Sequence, residues 1–166
     1  YDIVWFEEPV HSADLVAMEK LAAKSPIPVA MGESENTYFG FRDMAKIGVK
    51  HLQPCVIGPS VLDWMKIRDL ATDKALDFSS GGYSPISAAF IATAPQSALT
   101  EYLIPIVKPS FMDTLRKAPV CEHGHFYLPS EPGLPVQPDW ERLEVEGQLK
   151  KVTYFHARKT KQKVRC

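Results

Sequence analysis

The chain has 166 residues, 45% of them hydrophobic, and a formal net charge of −1. This is the make-up of one globular domain large enough for a core, with neither the excess charge of a nucleic-acid binder nor an apolar run near the ~20 residues that cross a bilayer. Three cysteines, Cys55, Cys121 and Cys166, are odd in number and lack metal-type spacing, which argues against a disulfide framework and for a reducing, cytoplasmic setting.

The chain opens on Tyr1 and runs straight into an apolar stretch with no signal peptide, which predicts a start inside a domain. Ile3 to Phe6 reads as a buried strand ended by Pro9. Ser12 is the predicted cap of a helix through Lys24, with Leu15, Met18 and Leu21 on one apolar face. Val29 to Met31 is the next strand, and a helix from about Phe41 to Ile47 ends at Gly48. His51 to Gln53 is a third strand. Ser60 with Asp63 resembles a capping box opening a helix through Leu70. Ala75 to Phe78 is a fourth strand, Ser84-Pro85 opens a helix over Ile86 to Thr93, and Ala98 to Glu101 is a fifth strand.

Beyond Tyr102, prolines at 105, 109, 119, 129, 132, 135 and 138 forbid long helices. An ordered wrap is expected there, with Leu149 to Phe155 as a final strand. The expected organisation is a barrel portion over residues 1–104, a Pro-rich segment over 105–149 packing toward a capping domain, and a tail over 150–166 with seven basic residues and no acids.

Glu7, Glu33, Cys55, Gly81 and Glu101 follow one another at intervals of 26, 22, 26 and 20 residues. Each interval is about one βα unit, so each residue falls at the C-terminal tip of a parallel strand, where a (β/α) barrel keeps its chemistry. Neighbouring parallel strands lie ~4.8 Å apart, so carboxylates at adjacent tips can share one small cation such as Mg²⁺. The alternative, that Glu7 and Glu33 are ordinary solvated glutamates, is weakened by their register with the tips and with Glu101.

Trp-Phe-Glu-Glu-Pro at 5–9, Pro-Ile-Pro-Val-Ala-Met-Gly-Glu-Ser at 26–34, Gln-Pro at 53–54, Ser-Ser at 79–80 and Glu101-Tyr102-Leu103 together resemble the enolase superfamily. The resemblance is to its mandelate racemase, muconate-lactonising and acid-sugar dehydratase branch. Phe126-Tyr-Leu-Pro129 and Pro132-Gly-Leu134 are similar to that branch's returning segment. The resemblance implies an α/β fold: the C-terminal half of a (β/α)7β barrel, a partial TIM-type barrel, plus a Pro-rich return segment. It further implies Mg²⁺ as cofactor, Glu7 and Glu33 as two metal ligands, and Glu101 as the catalytic carboxyl that hydrogen-bonds the substrate carboxylate. Metal and hydrogen bonding would stabilise the enolate left when the proton α to a carboxylate is removed.

The sequence also departs from that pattern. Many members carry an Asp after Gln-Pro and a His at the next tip; here those places hold Cys55 and Gly81. Neither can perform that dyad's proton transfer. A Lys-x-Lys base and a further Asp ligand would lie upstream of Tyr1.

Other residues are candidates for the pocket or for chemistry elsewhere. Tyr83 offers a phenol to the pocket, or simple packing. Cys55 offers a thiol with no evident base. Glu122-His-Gly-His125 reads as a metal pair or as a turn, while His11 and His51 read as surface or helix-cap histidines. The basic tail lacks a nucleic-acid-binding fold and, beyond Tyr154-Phe155, stacking aromatics, so no nucleic-acid or membrane partner is expected.

The function that follows is an Mg²⁺-dependent lyase acting on a small carboxylate such as a sugar acid, inactive as this fragment alone. A racemase, epimerase or cycloisomerase of the same superfamily and a non-catalytic remnant or scaffold stay open as alternatives. The expected partners are that substrate, an N-terminal barrel half with its capping domain, and further copies of the full-length chain in a homo-oligomer.

Overall fold

A computed structural model describes residues 1–151 and residue 153. Five parallel strands form its main sheet: β1 (Phe6–Glu7), β2 (Val29–Met31), β3 (His51–Leu52), β4 (Asp77–Ser80) and β5 (Leu99–Thr100), side by side in chain order. The crossovers are α1 (Leu15–Ala22), α2 (Tyr38–Lys46), α3 (Val61–Asp73) and α4 (Ser84–Ile91). Parallel neighbours need such crossovers, and strict sequential order without reversal is the winding of a barrel, not of a doubly wound sheet. The chain is therefore an arc of a (β/α) barrel, the α/β partial-barrel class expected from its sequence.

The helices cover one face of the sheet. Met18, Val29, Met31, Phe41, Leu52, Trp64, Ile67 and Phe78 belong to one buried cluster drawn from α1 through β4. Ser80 joins this cluster through polar contacts: its Oγ accepts from Trp64 Nε1 at 3.2 Å and donates to the Pro54 carbonyl at 2.7 Å. The Trp64 ring stands edge-on to Phe78 and Phe90 at 5.3 and 5.0 Å.

Local chemistry places the helix starts. Thr37 Oγ1 accepts from Gly40 N to cap α2, and Ser60 Oγ accepts from Asp63 N to cap α3. Asp63 faces Lys66 at 3.6 Å, so only the serine half of the expected capping box is made. The cap of α1 is Asp14, whose Oδ1 accepts from Ala17 N at 2.9 Å, and not Ser12. The first strand also begins later than Ile3. The ladder starts where Phe6 N reaches Pro28 O and Glu8 N reaches Ala30 O, and Ile3 and Val4 stay exposed.

After Tyr102 come α5 (Ile104–Ser110), a 3₁₀ turn at Met112–Thr114, β6 (Leu115–Lys117), β7 (Val120–Glu122), β8 (His125–Tyr127), β9 (Gln137–Pro138) and α6 (Trp140–Val145). β6 pairs with β9 and β7 with β8, both antiparallel. The β7–β8 hairpin lies against the end of β5, with Phe126 edge-on to Tyr102 at 5.1 Å. Of the expected final strand, residues 149–151 and 153 are irregular. Its remainder, with most of the basic tail, falls outside the described residues. No helix among the described residues is long and apolar enough to cross a membrane.

Candidate active site

Side chains alternate along a strand, and residues opposite in phase to Leu52 and Phe78 leave the helical core. Glu7, Gln53, Cys55, Ser79 and Gly81 do so. With Glu33 and Glu101 they line one pocket at the C-terminal ends of β1 to β5. Each of the predicted strand-tip positions is therefore in it. Its volume is about 30 Å³, space for a water or a small ion but not for a sugar acid.

The turn after β2 delivers Glu33. Gly32 sits at φ +137°, and a Cβ there would stand 2.5 Å from Phe41 Cε1, so only glycine fits. Gly32 N donates to Glu8 Oε1 at 3.3 Å. The two adjacent glutamates thus divide: Glu8 holds the β2 turn, and Glu7 enters the pocket. Glu7 Oε2 accepts from Gln53 Nε2 at 3.0 Å and from Trp5 Nε1 at 3.4 Å. Cys55 and Gly81 form a parallel bridge that carries the β3 and β4 tips side by side.

Three carboxylates line this pocket and, among the described residues, no cationic side chain does. Burial, then the charges of Glu7 and Glu33, push the Glu101 carboxyl above its ordinary range. Burial, then Glu33 and Glu101, push the Cys55 thiol up as well, which keeps it protonated and a poor nucleophile. An all-oxygen acidic set without a counter-charge suits a hard divalent cation in donor chemistry. Yet no group of three His, Cys, Asp or Glu among the described residues is placed to hold a metal ion. Two carboxylates alone are too few ligands for such an ion, so a site here needs further oxygen ligands.

Tyr83 does not line the pocket. Its ring packs on Phe111 with centroids 4.9 Å apart. His123 occupies a left-handed turn at φ 50°, and its carbonyl lies 2.9 Å from His125 Nδ1, so the hairpin turn accounts for that pair. His11 Nδ1 accepts from Ala13 N at the entry to α1, a helix-end role.

His51, expected at the surface or at a helix cap, is neither: it lies in β3 and is 2% exposed. Its Nε2 meets Ser79 Oγ at 2.8 Å, and Trp5 stands edge-on at 4.7 Å. Nδ1 has no hydrogen-bond partner among the described residues, and burial lowers the pKa of the ring. Sequence reasoning gave Gln53 and Ser79 no role of their own. The signal was available, since both stand two residues before a named tip residue and so share its face.

Residues 1–142 match the family described as enolase C-terminal domain-like. The chain is 33% identical over 146 residues to a putative L-rhamnonate dehydratase of Caldivirga maquilingensis, covering 82% of this chain and 36% of that protein. It is 24% identical over 170 residues to a D-xylonate dehydratase of Haloferax volcanii, covering 89% and 38%. It also superposes on the structure of L-talarate dehydratase from Polaromonas sp. JS666, complexed with Mg and L-glucarate. There the TM-score is 0.70 at 21% identity, over 82% of this chain and 36% of that one. The chain thus spans little more than a third of these relatives.

Proposed function

The chain belongs to the enolase C-terminal domain-like family, and from that premise we propose that it supplies one wall of a Mg²⁺-dependent acid-sugar dehydratase. The observation that carries this reading is the meeting of Glu7, Glu33 and Glu101 in one pocket that no cationic side chain among the described residues lines. Glu7 and Glu33 would hold the ion, with Gln53 fixing one oxygen of Glu7. Bound there, Mg²⁺ supplies charge that stabilises an enolate. Glu101, whose carboxyl burial and the neighbouring glutamates push above its ordinary range, would hydrogen-bond the substrate carboxylate.

Proton removal is assigned to a group outside the described residues, because Cys55 and Gly81 provide no base on this wall. A pocket of about 30 Å³ cannot enclose a sugar acid, so the chain alone is proposed to bind such a ligand weakly and turn none over. A complementary barrel half would close the site. Cys55 and Cys121 are free thiols, which fits a cytoplasmic setting.

Saturation-transfer NMR reads weak binding and tests this with L-rhamnonate. Signal is expected with Mg²⁺, and its loss with EDTA or in Glu101→Ala. Signal indifferent to both, or none at all, contradicts the proposal.

A further inference from the structure

His51 stands on β3 two residues before Gln53, and Ser79 on β4 two residues before Gly81, so both face the pocket side of the sheet. His51 pairs with Asp77 across the ladder, which puts Ser79 on its diagonal. His51 Nε2 meets Ser79 Oγ at 2.8 Å, and both residues are buried. Two arrangements of the shared proton are chemically open: Ser79 O–H donates to Nε2, or Nε2–H donates to Oγ. The other ring nitrogen separates them. Nδ1 is sealed from solvent and has no hydrogen-bond partner among the described residues. Burial favours the neutral ring, against weaker pulls from Asp77 and Glu7, so one nitrogen carries the proton. The first arrangement puts it on Nδ1 and strands a buried N–H, which folded proteins tolerate less than a bare lone pair. Trp5, edge-on at 4.7 Å, offers no remedy. Its indole has no acceptor lone pair, and its N–H reaches Glu7 Oε2 at 3.4 Å. The proton therefore belongs on Nε2.

We propose that His51 is a positioning residue: its Nε2–H holds the Ser79 oxygen as an acceptor and so turns the Ser79 O–H toward the acidic pocket as a hydrogen-bond donor. A serine hydroxyl has one proton, and here it is left free for the pocket. Ser79 lines that pocket with Glu7, Glu33 and Glu101, and its space of about 30 Å³ admits an acceptor oxygen of water size. The ligand group that fits this donor is a hydroxyl or carboxylate oxygen of a sugar acid. The direction of the hydroxyl stands on the buried pair itself; its meeting a substrate oxygen rests on the dehydratase reading.

The test has two arms on the whole chain. Two-bond ¹H–¹⁵N NMR of histidine-labelled protein at neutral pH reads which ring nitrogen of His51 is protonated. A protonated Nε2 and a bare Nδ1 are expected. A proton on Nδ1 overturns the proposal, because the serine proton is then spent on Nε2.

In the second arm, L-rhamnonate affinity with Mg²⁺ is read by titrated saturation-transfer NMR. Loss of one hydrogen bond predicts binding about fivefold weaker in Ser79→Ala. His51→Leu, which frees the hydroxyl to rotate, is expected to weaken binding too, yet to add no loss to Ser79→Ala in the double variant. His51→Gln, whose amide N–H takes the place of Nε2–H, is expected to bind more tightly than His51→Leu. Unchanged binding in Ser79→Ala, or additive losses in the double variant, overturns the proposal. A wild type that binds no L-rhamnonate, with the proton found on Nε2, supports the positioning of Ser79 and contradicts only the reading of the ligand.

Discussion

Glu101 is held among like charges, and that has a measurable sign. Its folded pKa lies above the ordinary carboxylate value. The folded state therefore keeps a proton at pH values where the unfolded chain has released it. Stability from this group is fully present below the unfolded value and is lost as pH rises through the folded one. Glu101→Gln should accordingly raise the melting temperature near pH 7 in metal-free buffer, with the gain vanishing below about pH 4; calorimetry across that range checks it. His51 works in the opposite direction. Its folded pKa is lowered by burial, so its contribution is present above about pH 6.5 and lost as pH falls through the folded value. His51→Leu should flatten that acid limb, again by calorimetry. The glutamates' place in one pocket was legible because each falls at or just past the end of a strand at βα spacing. His51 was not, because its hydrogen-bond partner Ser79 is 28 residues away and a two-residue strand does not declare its inner face.

At the level of elements, α3 is joined to the sheet through Ser80, whose hydroxyl serves Trp64 and Pro54 at once. Ser80→Ala leaves a buried donor and a buried acceptor unpaired and should cost about 1–3 kcal/mol in urea denaturation. A change within about 0.5 kcal/mol would show that the joint relies on ring packing alone. The central elements were readable because Val29–Met31 is buried at every residue and so appears as an unbroken apolar run. The start of β1 was not, since its ladder begins at a bond from Phe6 to Pro28, 22 residues on. Ser12 lost the cap to Asp14 by the geometry of a single turn.

For the whole molecule, strict strand order made the barrel winding legible, whereas the pairing of β6 with β9 across the Pro-rich stretch had no local mark. Among the described residues β1 and β5 each pair on one side only. Phe6 and Leu99 on them, with Ile3 and Val4 nearby, are exposed apolar groups. Such edges associate, so sedimentation velocity should show mass rising with concentration, less so for Phe6→Lys; a monodisperse monomer throughout would contradict this. The central claim is that acidic groups from separate strands make one cation site, and thermal unfolding with millimolar Mg²⁺ tests it most directly. An ion bound by the folded state raises the melting temperature by mass action. The rise should appear in the wild type and disappear in both Glu7→Gln and Glu33→Gln. No rise in the wild type, or an equal rise in all three proteins, would contradict it.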